Sequence, residues 1–195
     1  RDAGFDVLEL HFAHGYLLST FLSALTNVRT DEWGGPRLEN RLRYPCEIVR
    51  AVREAWSDDK PLFVRISATE WAPGGLDDAD RVTLARALVE AGADLLDVSA
   101  GGVVPNQQPV YGRMFQVPFS DVIRNEGGVP TMTVGNVQDV DQVNTILAAG
   151  RADLVAMARA HLADPYVGLH ASAKYGVDVP WPRQYLAVKP ALRKG

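Results

Sequence analysis

A single cysteine, Cys46, is the whole thiol content of the 195 residues. No internal disulfide and no multi-cysteine zinc or iron–sulfur site can form within them, and Cys46 reads as a buried thiol. Long apolar runs are also missing: no stretch approaches the roughly 18 residues that span a bilayer, and no basic start leads into an apolar signal core. A cytoplasmic protein with no membrane partner is the expectation. Twenty basic and 24 acidic residues give a net charge of −4 without a Lys/Arg cluster, so the electrostatic footprint of nucleic-acid binding is absent. The 17 Gly and 12 Pro suffice for turns, but 47% hydrophobic residues make the chain too apolar for disorder.

What is present is a repeated punctuation. Ala3-Gly4-Phe5-Asp6 precedes Val7–Leu10, Ala91-Gly92-Ala93-Asp94 precedes Leu95–Val98, and Ala149-Gly150-Arg151-Ala152-Asp153 precedes Leu154–Met157. Glycine enters the left-handed conformation just past a helix without a Cβ clash, so each copy reads as helix, stop, strand. Two further strands are predicted at Leu62–Ile66 and Thr131–Val134, each after a proline. Helices are predicted over Leu42–Trp56, Asp78–Glu90, Phe119–Asn125 and Val137–Ala148; in the second, Asp80, Arg81, Arg86 and Glu90 are available for solvent. Alternating apolar strands and helices specify a parallel sheet covered by helices, either an open doubly wound sheet or a closed eight-stranded barrel. No G-x-G-x-x-G follows a strand, so the dinucleotide fingerprint of the open sheet is missing. The chain opens on Arg1-Asp2-Ala3-Gly4 with a strand almost at once, and is expected to be a fragment.

In a barrel, functional residues gather at the C-terminal ends of strands, with a phosphate site after the last two. Here those ends carry His11, Arg65 and Ser67, Ser99, Gly135-Asn136, and Ala158-Arg159. Gly135 with its backbone N–H, together with Arg159, is what a phosphate site requires, although Arg159 by itself could equally be a surface residue. His11, His14 and Tyr16 lie within six residues. Imidazole N–H groups can donate to a carbonyl or phenolate oxygen, and a tyrosine hydroxyl can supply a proton, so the three resemble an oxyanion hole beside a general acid. Two other readings stay open: a partly buried histidine pair satisfied by neighbours, and a zinc site, for which H-x-x-H lacks a third ligand. Arg65 within an apolar strand needs an anionic or hydrogen-bonding partner. That partner is either a ligand or a carboxylate such as Glu9 or Asp97. Trp33, Trp56, Trp71 and Trp181 read as packing residues. Asp31, Glu32, Arg37, Glu39, Asn40, Arg41 and Arg43 read as a hydrogen-bonded loop, lid or interface.

Longer motifs carry a resemblance. His11-Phe-Ala-His14-Gly-Tyr16-Leu-Leu, then Leu25–Gly35 and Leu38-Glu-Asn-Arg41, resemble the old yellow enzyme family of FMN-dependent ene-reductases, and Val64–Thr69, Asp97-Val-Ser, Val134-Gly-Asn136 and Ala158–Pro165 keep the family's order. The resemblance implies a (β/α)8 TIM barrel. Residues 1–195 would be the C-terminal part of one FMN-binding domain and supply strands four to eight, with strands one to three upstream. It implies Arg65 near the flavin ring edge, Gly135, Asn136, Ala158 and Arg159 around the FMN phosphate, His11 and His14 on a substrate carbonyl oxygen, and Tyr16 as proton donor. It also implies hydride transfer from NADPH or NADH through FMN to an activated C=C bond of a small-molecule substrate, in a full-length protein that forms a homo-oligomer.

A narrower similarity lies in Pro109–Gln116 and Trp181–Leu186, which look like the C-terminal reductase portion of anthraniloyl-CoA or salicylyl-CoA monooxygenases. There the barrel follows a FAD-dependent hydroxylase and reduces a dearomatised aryl-CoA. A free-standing enone reductase is the alternative, and a non-catalytic barrel-derived binding module is the alternative from another class. The family's iron–sulfur branch carries a cysteine cluster that does not follow Asp164-Pro165. Ala158 stands where many relatives have Gly, and Gly34–Leu38 is one residue longer than the usual pattern.

Overall fold

The computed structural model describes residues 2–189; Arg1, at which the sequence opens, lies outside the described residues. Five strands, β1 (Leu8–Phe12), β2 (Leu62–Ser67), β3 (Leu95–Ser99), β4 (Thr131–Thr133) and β5 (Leu154–Val155), form one sheet in sequence order. Every neighbouring pair is parallel. The connections carry α1 (Leu17–Leu22), α2 (Leu38–Trp56), α3 (Asp78–Glu90), α4 (Val117–Asn125) and α5 (Val140–Ala148); α6 (Arg159–Ala163) and α7 (Val167–Lys174) follow β5.

Register divides the side chains between two faces, because partners in adjacent parallel strands share a side. Phe12, Ile66 and Val98 occupy one row and Leu10, Val64 and Leu96 belong to neighbouring strands of the same ladder. With Leu42, Cys46 and Val49 of α2, Leu84 and Leu88 of α3, and Ile123 of α4, these strand residues form the main core. The other face carries a row across the sheet of His11, Arg65, Asp97 and Met132, the first three polar. Thus one sheet face packs into the main core and the other presents ionisable side chains.

The repeated punctuation has a structural purpose at the opposite end of the sheet. Gly92 (φ +120°) follows α3 and Gly150 (φ +67°) follows α5, both in backbone regions that favour glycine. The aspartate after each glycine then ties the next strand to its neighbour. Asp94 accepts the backbone N–H of Leu62 at 2.7 Å and Asp153 that of Thr131 at 2.9 Å. Arg53 donates to Asp94 at 2.5 Å and Arg124 to Asp153 at 3.0 Å. The helix starts agree with local capping chemistry: Asp77 accepts from Asp80 N–H and Asp139 from Gln142 N–H.

Several elements differ from the expectation. β4 and β5 stop before Val134 and Met157 because the chain turns there into the site, with Gly135 at φ +117°. α2 starts at Leu38 and runs through Pro45, so Glu39, Asn40, Arg41 and Arg43 are helical rather than loop residues. The reason is Arg41, which is buried and donates to the carbonyls of Leu22, Gly35 and Pro36. Arg81 is buried too, not solvent-facing: it donates to the carbonyls of Ala68 and Leu76 and pairs with Asp78. A guanidinium can satisfy several otherwise orphaned carbonyls at once, which a helical periodicity does not reveal. No described helix is long and apolar enough to cross a membrane.

Candidate active site

β1 delivers His11 at its C-terminal end, and the chain then turns sharply through His14 (φ +61°) and Gly15 (φ +79°) before α1. That turn folds the three candidate groups together. The His11 ring centroid lies 5.1 Å from that of His14 and 5.2 Å from that of Tyr16. Gly15 is obligatory here, since a Cβ would stand 2.6 Å from the Gly102 carbonyl oxygen. His11 and Tyr16 are exposed; His14 is half-buried.

His14 is the most firmly held of the three. Its backbone N–H donates to Ser67 Oγ at 2.9 Å, and Ser67 in turn donates to the Gly101 carbonyl at 2.8 Å. Its ring Nε2 lies 2.8 Å from Ser99 Oγ. Burial first, then the positive Arg65 and His11 nearby, lower the pKa of His14, which favours the neutral ring. The strand-end serines Ser67 and Ser99 are therefore supports for the histidine. Gln116, which closes this network, comes from the loop before α4, and nothing in its local sequence ties it to His14.

Arg65 sits in the polar row between His11 and Asp97. Its Nε is 3.4 Å from Asp97 Oδ2, as an ion pair, yet buried without a hydrogen bond. Of the two carboxylates weighed for it, Asp97 is the partner in contact. Burial pushes the Asp97 carboxyl up to about 6, with Arg65 opposing the rise and Glu9 adding to it. The guanidinium is thus only partly satisfied and about one-third exposed, which leaves donors for a polar ring edge.

The second cluster lines a cavity of about 470 Å3 at the ends of β4 and β5, formed by Gly135, Asn136, Ala158, Arg159, Phe115 and Gln116, among others. All four residues expected around a phosphate are in it. A Cβ on Gly135 would meet Gln116 Nε2 at 2.4 Å, and Asn136 also has positive φ (+55°). Asn136 donates to the Gly112 carbonyl at 3.0 Å. Successive left-handed residues and a guanidinium form a cradle suited to an anion. Two features bear on the cofactor fit: positive φ at Gly135 and Asn136 beside Arg159 in one cavity, and an Arg65 guanidinium about one-third exposed whose partner Asp97 meets only part of its donor capacity. Both suit a phosphate-bearing flavin. Among the described residues no His, Cys, Asp and Glu gather in a metal-binding group, so the zinc reading of His11 and His14 finds no third ligand.

A parallel sheet with polar side chains at its strand ends, and a cavity lined by Gly135, Asn136 and Arg159 after its last two strands, is the arrangement of the α/β-barrel class. The model of the NADH:flavin oxidoreductase / NADH oxidase family matches residues 1–177. The chain belongs to this family. It is 48% identical over 185 residues to an NADPH dehydrogenase of Geobacillus thermodenitrificans, a match covering 95% of this chain and 53% of the relative. Among solved structures, a 2-naphthoyl-CoA reductase complex superposes with TM-score 0.76 at 31% identity, covering 85% of this chain and 26% of that one. Morphinone reductase in complex with tetrahydroNAD gives 0.69 at 28%, covering 93% and 46%. The chain spans about half the length of the curated relatives it matches.

Proposed function

We propose that residues 1–195 supply the last five strands of a (β/α)8 barrel whose complete form binds FMN, accepts hydride from NADPH or NADH and reduces an activated C=C bond. The observation that carries this reading is the placement of the His11–His14–Tyr16 cluster beside Arg65 on one polar sheet face, with a glycine-walled anion cradle after β4 and β5. Flavin, when bound, supplies the two-electron hydride chemistry.

The chain's own residues do the rest. The backbone at Gly135 and Asn136 with Arg159 holds the phosphate, and Ala158 borders it. Arg65 reaches the polar edge of the ring system, its charge kept in place by Asp97. His11 and His14 hold the oxygen of the substrate's activating carbonyl, where negative charge grows, His14 donating once that charge draws a proton onto its ring; a preorganised donor at such a position is worth roughly 3 kcal/mol of barrier. Tyr16 delivers its hydroxyl proton to the substrate α-carbon.

The narrower reading is an aryl-CoA substrate, supported by the likeness of Pro109–Gln116 to aryl-CoA monooxygenase reductase portions and by the CoA-thioester named for one structural neighbour. A free-standing reductase of small enones is favoured by the NADPH dehydrogenase and morphinone reductase relatives. FAD enters only if a hydroxylase domain precedes the barrel. The full-length protein, following anaerobic addition of NADPH, should show a bleached flavin spectrum. Recovery on adding cyclohexenone supports the enone reading and recovery only with a dearomatised aryl-CoA supports the other. Absence of flavin sinks the oxidoreductase reading and leaves a binding module.

A further inference from the structure

The network behind His14 has a fixed direction of donation. At its far end is the Val134 carbonyl oxygen, which can only accept, so Gln116 must turn its amide NH2 toward it; the distance is 3.1 Å. Gln116 Oε1 then faces Ser99, whose hydroxyl donates to it at 3.1 Å. With its one proton committed, Ser99 Oγ can only accept from His14 Nε2 at 2.8 Å. Ser99 and Gln116 are both about 95% buried, so no water competes to reverse a link. Reversing the chain would set an amide oxygen against a carbonyl oxygen, or Gln116 Oε1 against a lone pair of Ser99, and an unmade buried hydrogen bond costs about 1–3 kcal/mol.

We infer that Gln116, acting through Ser99, locks neutral His14 as the Nε2–H tautomer and so sets which kind of oxygen His14 can hold. Gln116 is a positioning residue: its link to His14 runs through Ser99. In the locked state Nδ1 is a bare lone pair, and it makes no hydrogen bond among the described residues. Neutral His14 therefore accepts from a ligand hydroxyl, and it donates to a carbonyl or enolate oxygen only after taking a proton on Nδ1. The depressed pKa of His14 agrees, because it makes the imidazolium form depend on a negative oxygen arriving. His11, with no such network, stays free to donate in its neutral state. Gln116 also packs against Gly135, so the same side chain borders the anion cradle. The consequence for substrate oxygen rests on the proposed function; the tautomer does not.

The test is long-range 15N–1H correlation of histidine side chains in the intact protein, labelled at histidine, with His14 assigned by loss of its signals in His14→Gln. At a pH above the ordinary histidine range, the pattern of a ring protonated at Nε2 is expected for the wild type. Ser99→Ala and Gln116→Leu should each convert it to a mixture of tautomers or to Nδ1–H. Gln116→Glu is the check against mere misfolding: burial favours its protonated form, whose hydroxyl donates to the Val134 carbonyl while its other oxygen accepts from Ser99, so Nε2–H should persist. A wild-type ring protonated at Nδ1 overturns the proposal, as does an unchanged Nε2–H pattern in both Ser99→Ala and Gln116→Leu. A protein without flavin or reductase activity that still gives the expected pattern retires the proposed function and leaves the tautomer lock standing.

Discussion

At the scale of single residues, the candidate site sets exposed His11 and Tyr16 and half-buried His14 in front of buried supports. Tyr16 is 64% exposed and its hydroxyl makes no hydrogen bond to the described residues, whereas the serines that hold His14 are almost fully enclosed. Tyr16→Phe keeps the ring against His11 and removes only the proton. Turnover is expected to fall by about 10²-fold or more, while flavin reduction by NADPH proceeds at its normal rate. Stopped-flow measurement of the two half-reactions separates these, and an undiminished second half-reaction would move the proton source elsewhere. Gly135→Ala forces a Cβ toward Gln116 at φ +117°. It should lower stability by about 1 kcal/mol or more and release flavin on dialysis; retention of flavin at wild-type affinity would remove Gly135 from the cradle.

Two titrations in the site run in opposite directions. Asp97 keeps its proton up to about 6 in the folded chain, against an ordinary carboxyl value of 3.8. Between those values the folded state binds more protons, so the Asp97 contribution to stability is present at low pH and lost as pH rises through about 6. His14 does the reverse. Its folded pKa lies below the ordinary 6.5, the unfolded chain takes the extra proton, and its contribution is lost as pH falls below that value. Urea unfolding of Asp97→Asn from pH 4 to 7 should therefore show a stability that no longer declines over this window relative to wild type. Parallel curves for the two proteins would refute the buried-carboxyl account.

At the scale of elements, arginines do what helix and strand periodicity cannot. Arg41 ties the end of α1 to the turn before α2, and Arg81 ties α3 to the carbonyl just past β2. Arg81→Met retains the apolar stem and strands the carbonyls of Ala68 and Leu76. A loss of about 1–3 kcal/mol is expected, read as a lower urea midpoint at constant m-value. A midpoint equal to wild type would mean that water satisfies both carbonyls. The helix Asp78–Glu90 was readable to the residue because its cap, Asp77, and its stop, Gly92, are local signals. The start of α2 was not, because its first turn is decided by where Arg41 finds carbonyls nineteen, six and five residues back.

At the scale of the whole molecule, the five strands form an open sheet, with Phe5 and Val7 exposed beside β1 and Leu154 exposed on β5. A sheet edge with unpaired backbone groups and apolar neighbours recruits further strands. Residues 1–195 produced alone are expected to associate and to hold no FMN. Sedimentation velocity with a flavin absorbance scan checks this, and a monomeric, flavin-bound preparation would contradict it.

The sequence by itself determined the parallel α/β class, the two glycine-stopped helices, and the candidate residues for binding an anion or moving a proton, because capping, glycine conformation and functional-group chemistry are properties of short segments. Tertiary structure decided the rest. It chose Asp97 as the contact of Arg65, made Ser67 and Ser99 the supports of His14, brought Gly135 and Arg159 to one cavity, and recruited Gln116 to the network behind His14, a role its local sequence does not mark. These assignments depend on which side chains the parallel register sets side by side and on where burial leaves a polar atom no partner but one. Such facts arise only when residues far apart in the chain are packed together.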